Sequence, residues 1–303
     1  MKYLVTGGAG FIGSHLVDKL IEDNHVICVD DLSSGYLANL PKNKKLQIIN
    51  KKFQDLNLSD FNNIDGIFHL ASQVSVQKSI DDFYNSSCNN MTLTFKVWSL
   101  AKEYNIPVVY ASSSAIYGNL IMGDELNNSY DVISPYALDK LCMEEYAKLY
   151  YELYKIPSIG LRFFNVYGNR QDSSNPYSGV ISIFIDRLIS DKPIYVNGGY
   201  QTRDFVHVED IIKSLCYSMK NLHFNKICDQ INVGTGKSIS INFLLNELIK
   251  ILNKSPVIKY KELPIGDPEK SEGNFNKLEK VIGLKTSEFN NIKEGLIKTI
   301  DNL

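Results

Sequence analysis

The chain has 303 residues, 44% hydrophobic and 22% charged, with 32 lysines and arginines against 34 aspartates and glutamates for a formal net charge of -2. That length buries a large core as one large domain or two closely packed ones, and the charge offers no basic field for nucleic acid or an anionic membrane. No apolar run approaches the roughly 18 residues of a membrane span, and the amino terminus enters a strand rather than a signal peptide, so a cytoplasmic address is expected.

In chain order, Lys2–Thr6, His25–Asp30, Leu46–Asn50, Ile64–Ala71, Pro107–Ser112 and Ser158–Phe164 read as short apolar strands. Helical periodicity covers Ser14–Asp23 and Asn90–Tyr104 between them. Such alternation builds a doubly wound parallel sheet of the α/β class. After Asn165 the rhythm loosens into Gly/Pro/Asn-rich loops, with a helix near Val180–Ser190, a strand near Pro193–Asn197 and helices near Ile211–Met219 and Ile241–Leu252. The shift divides the chain into residues 1–165, to which the chain returns near 205–220, and a smaller C-terminal α/β substrate lobe over 166–303. Cys28, Cys88, Cys142, Cys216 and Cys228 form no CxxC pair and no regular spacing, which reads as reduced, mostly buried thiols without disulfides or a metal.

The stretch "VTGGAGFIGSHL" spaces Gly7, Gly10 and Gly13 as GxxGxxG between the first strand and a helix opening near Phe11. Glycines there allow a tight turn, close approach of backbone to a pyrophosphate, and packing of the helix on the sheet, with the helix N-terminus facing the phosphates. This is a Rossmann-type dinucleotide site. The next strand ends in Asp30, where an acid meets the adenosine ribose hydroxyls and repels a 2′-phosphate, which favours NAD over NADP.

"SPYALDK" places Tyr136 and Lys140 four residues apart after a Ser134–Pro135 helix start, so both project from one helical face. A tyrosine is a poor base, with a pKa near ~10. An ammonium group beside the phenolate, reinforced by the positive nicotinamide ring of NAD, favours the charged form and brings the phenol toward working pH. "SSSAIYGN" (112–119) sets three serines where the fifth strand emerges. One of them is read as hydrogen-bonding the substrate hydroxyl whose proton Tyr136 takes.

With these motifs the chain resembles the extended short-chain dehydrogenase/reductases that act on nucleotide sugars, and among them the UDP-hexose and UDP-N-acetylhexosamine 4-epimerases. The resemblance runs through "GGAGFIGSHL", "DDLSSG", "IFHLASQ", "SSSAIYG", "SPYALDK", "LRFFNVYGNRQ", "NPYSGVISIF", "QTRDFVHVED" and "INVGTG". It implies that Ser113 is the catalytic serine, with Ser114 beside it and Ser112 structural. It implies that Phe11 and Ile12 contact the NAD diphosphate and that Asp30, Asp31, Leu32, Ser33, Ser34 and Gly35 surround the ribose. Asp55 and Leu56 would flank adenine, while Leu70, Ala71, Ser72, Gln73, Asn90 and Phe164 would line the nicotinamide end. For the substrate it implies Val74, Ser113, Ser114, Asn165, Val180, Val196 and an Arg203 clamp on the diphosphate, a job suited to the guanidinium fork.

The implied reaction is epimerisation at the sugar's carbon 4 through a transient 4-keto sugar, with NAD regenerated in each turnover and a homodimer built on Asn90–Tyr104 and Pro135–Tyr154. One departure stands out: "LPIGDPEKS" has Pro264 where the family carries a second arginine clamp, so that clamp is missing or is supplied elsewhere, by Arg170 or a nearby lysine. By the same resemblance Ser271, four residues after Asp267, aligns with the position that limits room at the sugar's second carbon, where a small residue would admit an N-acetyl group. A 4,6-dehydratase or decarboxylase is the rival reading. Dehydratases carry Thr-Asp-Glu where this chain has Ser113, Ser114 and Ala115, so elimination lacks its carboxylates. A non-catalytic NAD-binding protein is the other, and it sits poorly with an intact tyrosine and lysine.

Overall fold

The structure is a computed structural model that describes residues 1–127, 129–173, 179–263 and 268–303. Its first half runs β1 (Lys2–Thr6), α1 (Phe11–Leu20), β2 (His25–Asp30), β3 (Leu46–Asn50), β4 (Gly66–His69), α2 (Val76–Asp81), α3 (Phe83–Tyr104), β5 (Val108–Ser113), α4 (Pro135–Tyr154) and β6 (Ser158–Phe163). There follow β7 (Asn165–Tyr167), α5 (Val180–Ile189), β8 (Ile194–Asn197), β9 (Thr202–His207), α6 (Val208–Phe224) and β10 (Cys228–Val233). The last elements are β11 (Ser238–Ser240), α7 (Ile241–Leu252), β12 (Ile258–Lys261), α8 (Asn276–Ile282) and α9 (Ile292–Asp301).

Seven parallel strands in the order β10-β6-β5-β4-β1-β2-β3 form the main sheet of a Rossmann-type α/β fold. Strand alternation divides the core between its two faces. Tyr3, Val5, Cys28, Phe68 and Val109 pack against Leu16 and Val17 of α1 and Ile211 and Leu215 of α6. Leu4, Ile27, Ile67, Val108 and Tyr110 pack against Val97 and Trp98 of α3 and Met143 and Ala147 of α4. Each large apolar side chain so buried contributes about 1.5–3 kcal/mol relative to an exposed one. Strand order reverses between β1 and β4, which opens a crevice beyond their carboxyl ends.

Helix α8 packs on α6 and β10 in the main body, and the other remaining elements build a smaller unit. β9 lies between β7 and β11 in a three-stranded sheet, and β12 pairs with β8. Phe184, Ile185 and Leu188 of α5 meet Leu244, Leu245 and Leu248 of α7 around Ile194 and Val196. The strand at 205–207 therefore belongs to the small sheet. The chain rejoins the main body with α6, which packs on α1, and then with β10 beside β6. Helix α3 starts seven residues before the sequence suggests: Asp82 accepts from the Asn85 amide and starts a polar first half that hides its helical period.

Candidate active site

The chain leaves β1 through Gly7, at φ +72°, and a Cβ on Gly13 would lie 2.0 Å from the Gly7 carbonyl oxygen. Only glycine permits both the turn and the approach. The N-cap of α1, Gly10, makes no side-chain capping bond, whereas Ser75, Asp82, Ser134 and Ser240 cap α2, α3, α4 and α7. This cradle leaves a helix start, with Phe11 and Ile12 as its first residues, to a bound anion.

Asp30 closes β2 beside the cradle. Its Oδ2 accepts from the Ala9 amide and its Oδ1 from the Leu32 amide, each at 2.9 Å. Burial raises its pKa, and those two bonds oppose the rise. One bond per oxygen leaves lone pairs for two ribose hydroxyls. Around it Asp31, Ser33 and Ser34 are exposed, Gly35 is buried, and Leu32 takes the left-handed conformation at φ 58°. Asp55 is exposed at the end of a short 3-10 turn, with Leu56 buried next to it.

Leu70, Ala71, Ser72 and Gln73 follow β4 as a half-buried loop. Thr6 Oγ1 accepts from the Ala71 amide at 3.3 Å and is 2.9 Å from His69 Nδ1, and burial first, then Lys140, lowers the histidine's pKa to about 3. Asn90, expected to line the nicotinamide end, sits behind this loop at 2% exposure. Its Oδ1 accepts from Gln73 N at 2.8 Å and Ser72 Oγ at 3.1 Å, and its Nδ2 donates to Asp139 Oδ2 at 2.9 Å. Both polar atoms of the side chain are engaged within the protein, so its visible work is to shape the loop.

The catalytic candidates meet where β5 emerges. Ser113 donates to the Tyr136 phenol oxygen and accepts from the Ala115 amide at 3.1 Å. Lys140 Nζ donates to Ala111 O at 2.8 Å and lies 5.6 Å from the centre of the Tyr136 ring. Burial lowers the Lys140 pKa to about 8, against the pull of Asp139 and Glu144. Burial also raises the Tyr136 pKa, the Ser113 bond opposing it and Asp139 adding to it. The protein alone thus holds the phenol above its ordinary value, where the motif suggests a lowered one. Desolvation outweighs the Ser113 bond, and the Lys140 amine is held against the Ala111 carbonyl.

Tyr136, Ser113 and Ser114 open onto a cleft of about 300 Å³ lined also by Val74, Phe164, Asn165, Arg203, Lys270 and Ser271. A second cavity of about 360 Å³ shares Asn165 and Arg203 and adds Val180, Tyr195, Asn197 and Gln201. Val196 is a correction to the expected substrate set: alternation along β8 turns it into the core at 0% exposure and leaves Tyr195 and Asn197 facing that cavity. Arg170 is another, because it pairs with Asp18 of α1 at 2.7 Å, away from both cavities. Pro264 and Asp267 lie outside the described residues.

Residues 3–234 match the NAD dependent epimerase/dehydratase family. The chain belongs to that family. NAD is the family's cofactor, and the glycine cradle with Asp30 fits it. A putative UDP-glucose 4-epimerase of Methanocaldococcus jannaschii is 41% identical over 254 residues, covering 80% of each chain. A UDP-N-acetylglucosamine 4-epimerase of Methanobrevibacter ruminantium, solved with UDP-N-acetylmuramic acid, superposes with a TM-score of 0.91 at 34% identity, covering 100% of this chain and 99% of that one. A UDP-glucuronic acid 4-epimerase of Bacillus cereus, solved with UDP-glucuronic acid and NAD, gives 0.91 at 28% identity, covering 99% and 98%.

Sequence reasoning left out Asp139, Glu144, Arg162 and Tyr117, which are buried around the same strand end. A signal was present: Glu144 continues the Tyr136, Lys140 spacing by one more turn.

Proposed function

We propose that the protein is an NAD-dependent 4-epimerase of UDP-hexoses and UDP-N-acetylhexosamines. The observation that carries the reading is the meeting of Ser113 and Tyr136, with Lys140 buried beside them, on a cleft that Arg203 also lines. Residues 1–165 with the returning 208–233 segment hold the cofactor, and the rest of the chain holds the nucleotide sugar. NAD, when bound, supplies the hydride acceptor and donor that interconverts a carbon-4 alcohol and its ketone. Tyr136 takes the 4-hydroxyl proton and returns it after the sugar has turned over, while Ser113 orders that hydroxyl. Lys140 places its charge beside the phenol and near the ribose. Arg203 grips the diphosphate, so the sugar itself stays loosely held and can rotate. Arg203→Ala is expected to raise KM about 10- to 100-fold and change kcat less than about threefold, since it removes charge-assisted bonds far from carbon 4; steady-state kinetics reads the split.

Incubation with UDP-glucose and UDP-N-acetylglucosamine, with product resolution, tests the reading. An axial 4-epimer supports it. A keto-deoxy sugar assigns the chain to the rival dehydration, a decarboxylated pentose from a parallel incubation with UDP-glucuronate assigns it to the decarboxylase, and no product from any of the three assigns it to a non-catalytic NAD-binding role. Ser114 and Ala115 speak against elimination, because they stand in the cleft where its carboxylates are needed.

The protein is proposed to be a homodimer. Tyr84, Cys88, Met91 and Phe95 form one outward stripe on α3, and Leu138, Cys142, Leu149 and Leu153 form one on α4, an apolar surface across two adjacent helices. Light scattering should give twice 34.3 kDa, and Leu149→Glu with Leu153→Glu should return one chain mass. A parent that scatters as a single chain removes the proposal.

A further inference from the structure

We propose that Glu144, together with Arg162 and Ser112, is a positioning residue that fixes how α4 sits along β5 and so sets the Ser113–Tyr136 geometry. Tyr136, Lys140 and Glu144 recur every four residues on the face that α4 turns to the sheet, at 8, 2 and 0% exposure. Each ties the helix to β5: Tyr136 through Ser113, Lys140 through Ala111 O, and Glu144 through Ser112 Oγ, which donates to Oε1 at 2.5 Å. Glu144 also reaches β6. Arg162 donates from Nε to Oε1 at 2.9 Å and from Nη2 to Oε2 at 2.7 Å. Its Nη1 donates to Tyr117 OH at 2.7 Å, and Tyr117, which lines the cleft, donates to Asn232 Oδ1 of β10 at 2.8 Å.

The neighbouring contacts of α4 with the sheet, through Met143 and Ala147, are apolar. Dispersion resists separation but tolerates sliding, whereas a forked, charge-assisted bond fixes both distance and direction. A buried ion pair is no better for stability than well-packed apolar residues of the same volume. Its distinctive effect here is geometric, since a catalytic pair must be held within about 0.5 Å of its productive arrangement.

The kinetic readout rests on the epimerase reading, and a second readout does not. In the double variant Glu144→Leu with Arg162→Met, Tm should hold or rise, KM and NAD content should stay within about threefold, and kcat should fall about 10- to 100-fold. Ultraviolet titration of Tyr136, taken as the difference from the same protein with Tyr136→Phe, should move to higher pH as the Ser113 bond loosens. The groups that face this phenol are Ser113 from β5 and Asp139 and Lys140 from α4, with His69 of β4 facing the lysine. A folded double variant with kcat within about twofold of the parent overturns the proposal. If the parent turns over no nucleotide sugar, an unmoved tyrosine titration overturns it instead. Should the double variant fail to fold, Ser112→Ala, which leaves the ion pair in place, is read in the same two ways, with an expected kcat loss of about 3- to 10-fold and refutation below about twofold.

Discussion

Tyr136→Phe is expected to lower kcat about 1,000-fold, within the range that positioned acid–base groups supply, while NAD content stays that of the parent. The change removes one oxygen and keeps the ring, and the surroundings keep their shape: Tyr136 N still donates to Ser79 Oγ at 3.1 Å, and Lys140 still donates to Ala111 O. What disappears is the phenol oxygen to which Ser113 donates at the mouth of the cleft. Since burial holds the phenol above its ordinary pKa, the charge beside it decides whether it works as a base near neutral pH. The phenolate is the accepting form, so kcat should climb with pH until the phenol has ionised. Lys140→Met should displace that limb to higher pH, because an ammonium that favours the charged phenol is gone. A pH–rate profile on both variants reads this, and turnover by Tyr136→Phe at the parent's rate ends the mechanism.

The parts of this site that the sequence made legible are those that local chemistry dictates. Gly7 and Gly13 are required by a positive φ and by a 2.0 Å approach that no other residue survives, and Ser134 followed by Pro135 starts α4 whatever it packs against. Strands β1 and β2 are legible because their interiors, residues 3–5 and 26–29, are buried on both faces and therefore apolar. What stayed hidden depends on partners distant in sequence. Glu144 and Arg162 look like ordinary surface charges until β6 brings them to 2.7 Å. Strand β10 reads "CDQINV", half polar, because Asn232 serves the buried network while Asp229 pairs with Lys277. Val196 was misplaced for a different reason: a motif gives the strand but not which of its two faces meets the cavity, and a shift of one residue exchanges Val196 for Tyr195 or Asn197.

Ser271→Tyr is expected to abolish turnover of N-acetylated UDP-hexosamine, at least about 100-fold in kcat/KM, while unsubstituted UDP-hexose changes less than about threefold. Ser271 lines the same cleft of about 300 Å³ as Ser113 and Tyr136. Its segment has little freedom to retreat from a larger side chain. Ser238 Oγ donates to Ser271 O at 2.9 Å, Gly123 N donates to Glu272 O at 2.8 Å, and Asn274 N donates to Gly123 O at 2.9 Å. With the backbone pinned on both sides, a tyrosine ring enters the cleft and takes the space that an acetamido group would occupy. A hexose hydroxyl at the same carbon is small enough to remain. Paired kinetics on the two substrates carries the decision, because general damage to the fold would lower both rates together. Equal loss of the two would therefore remove Ser271 from the specificity of this enzyme and return the question to the residues around Arg203.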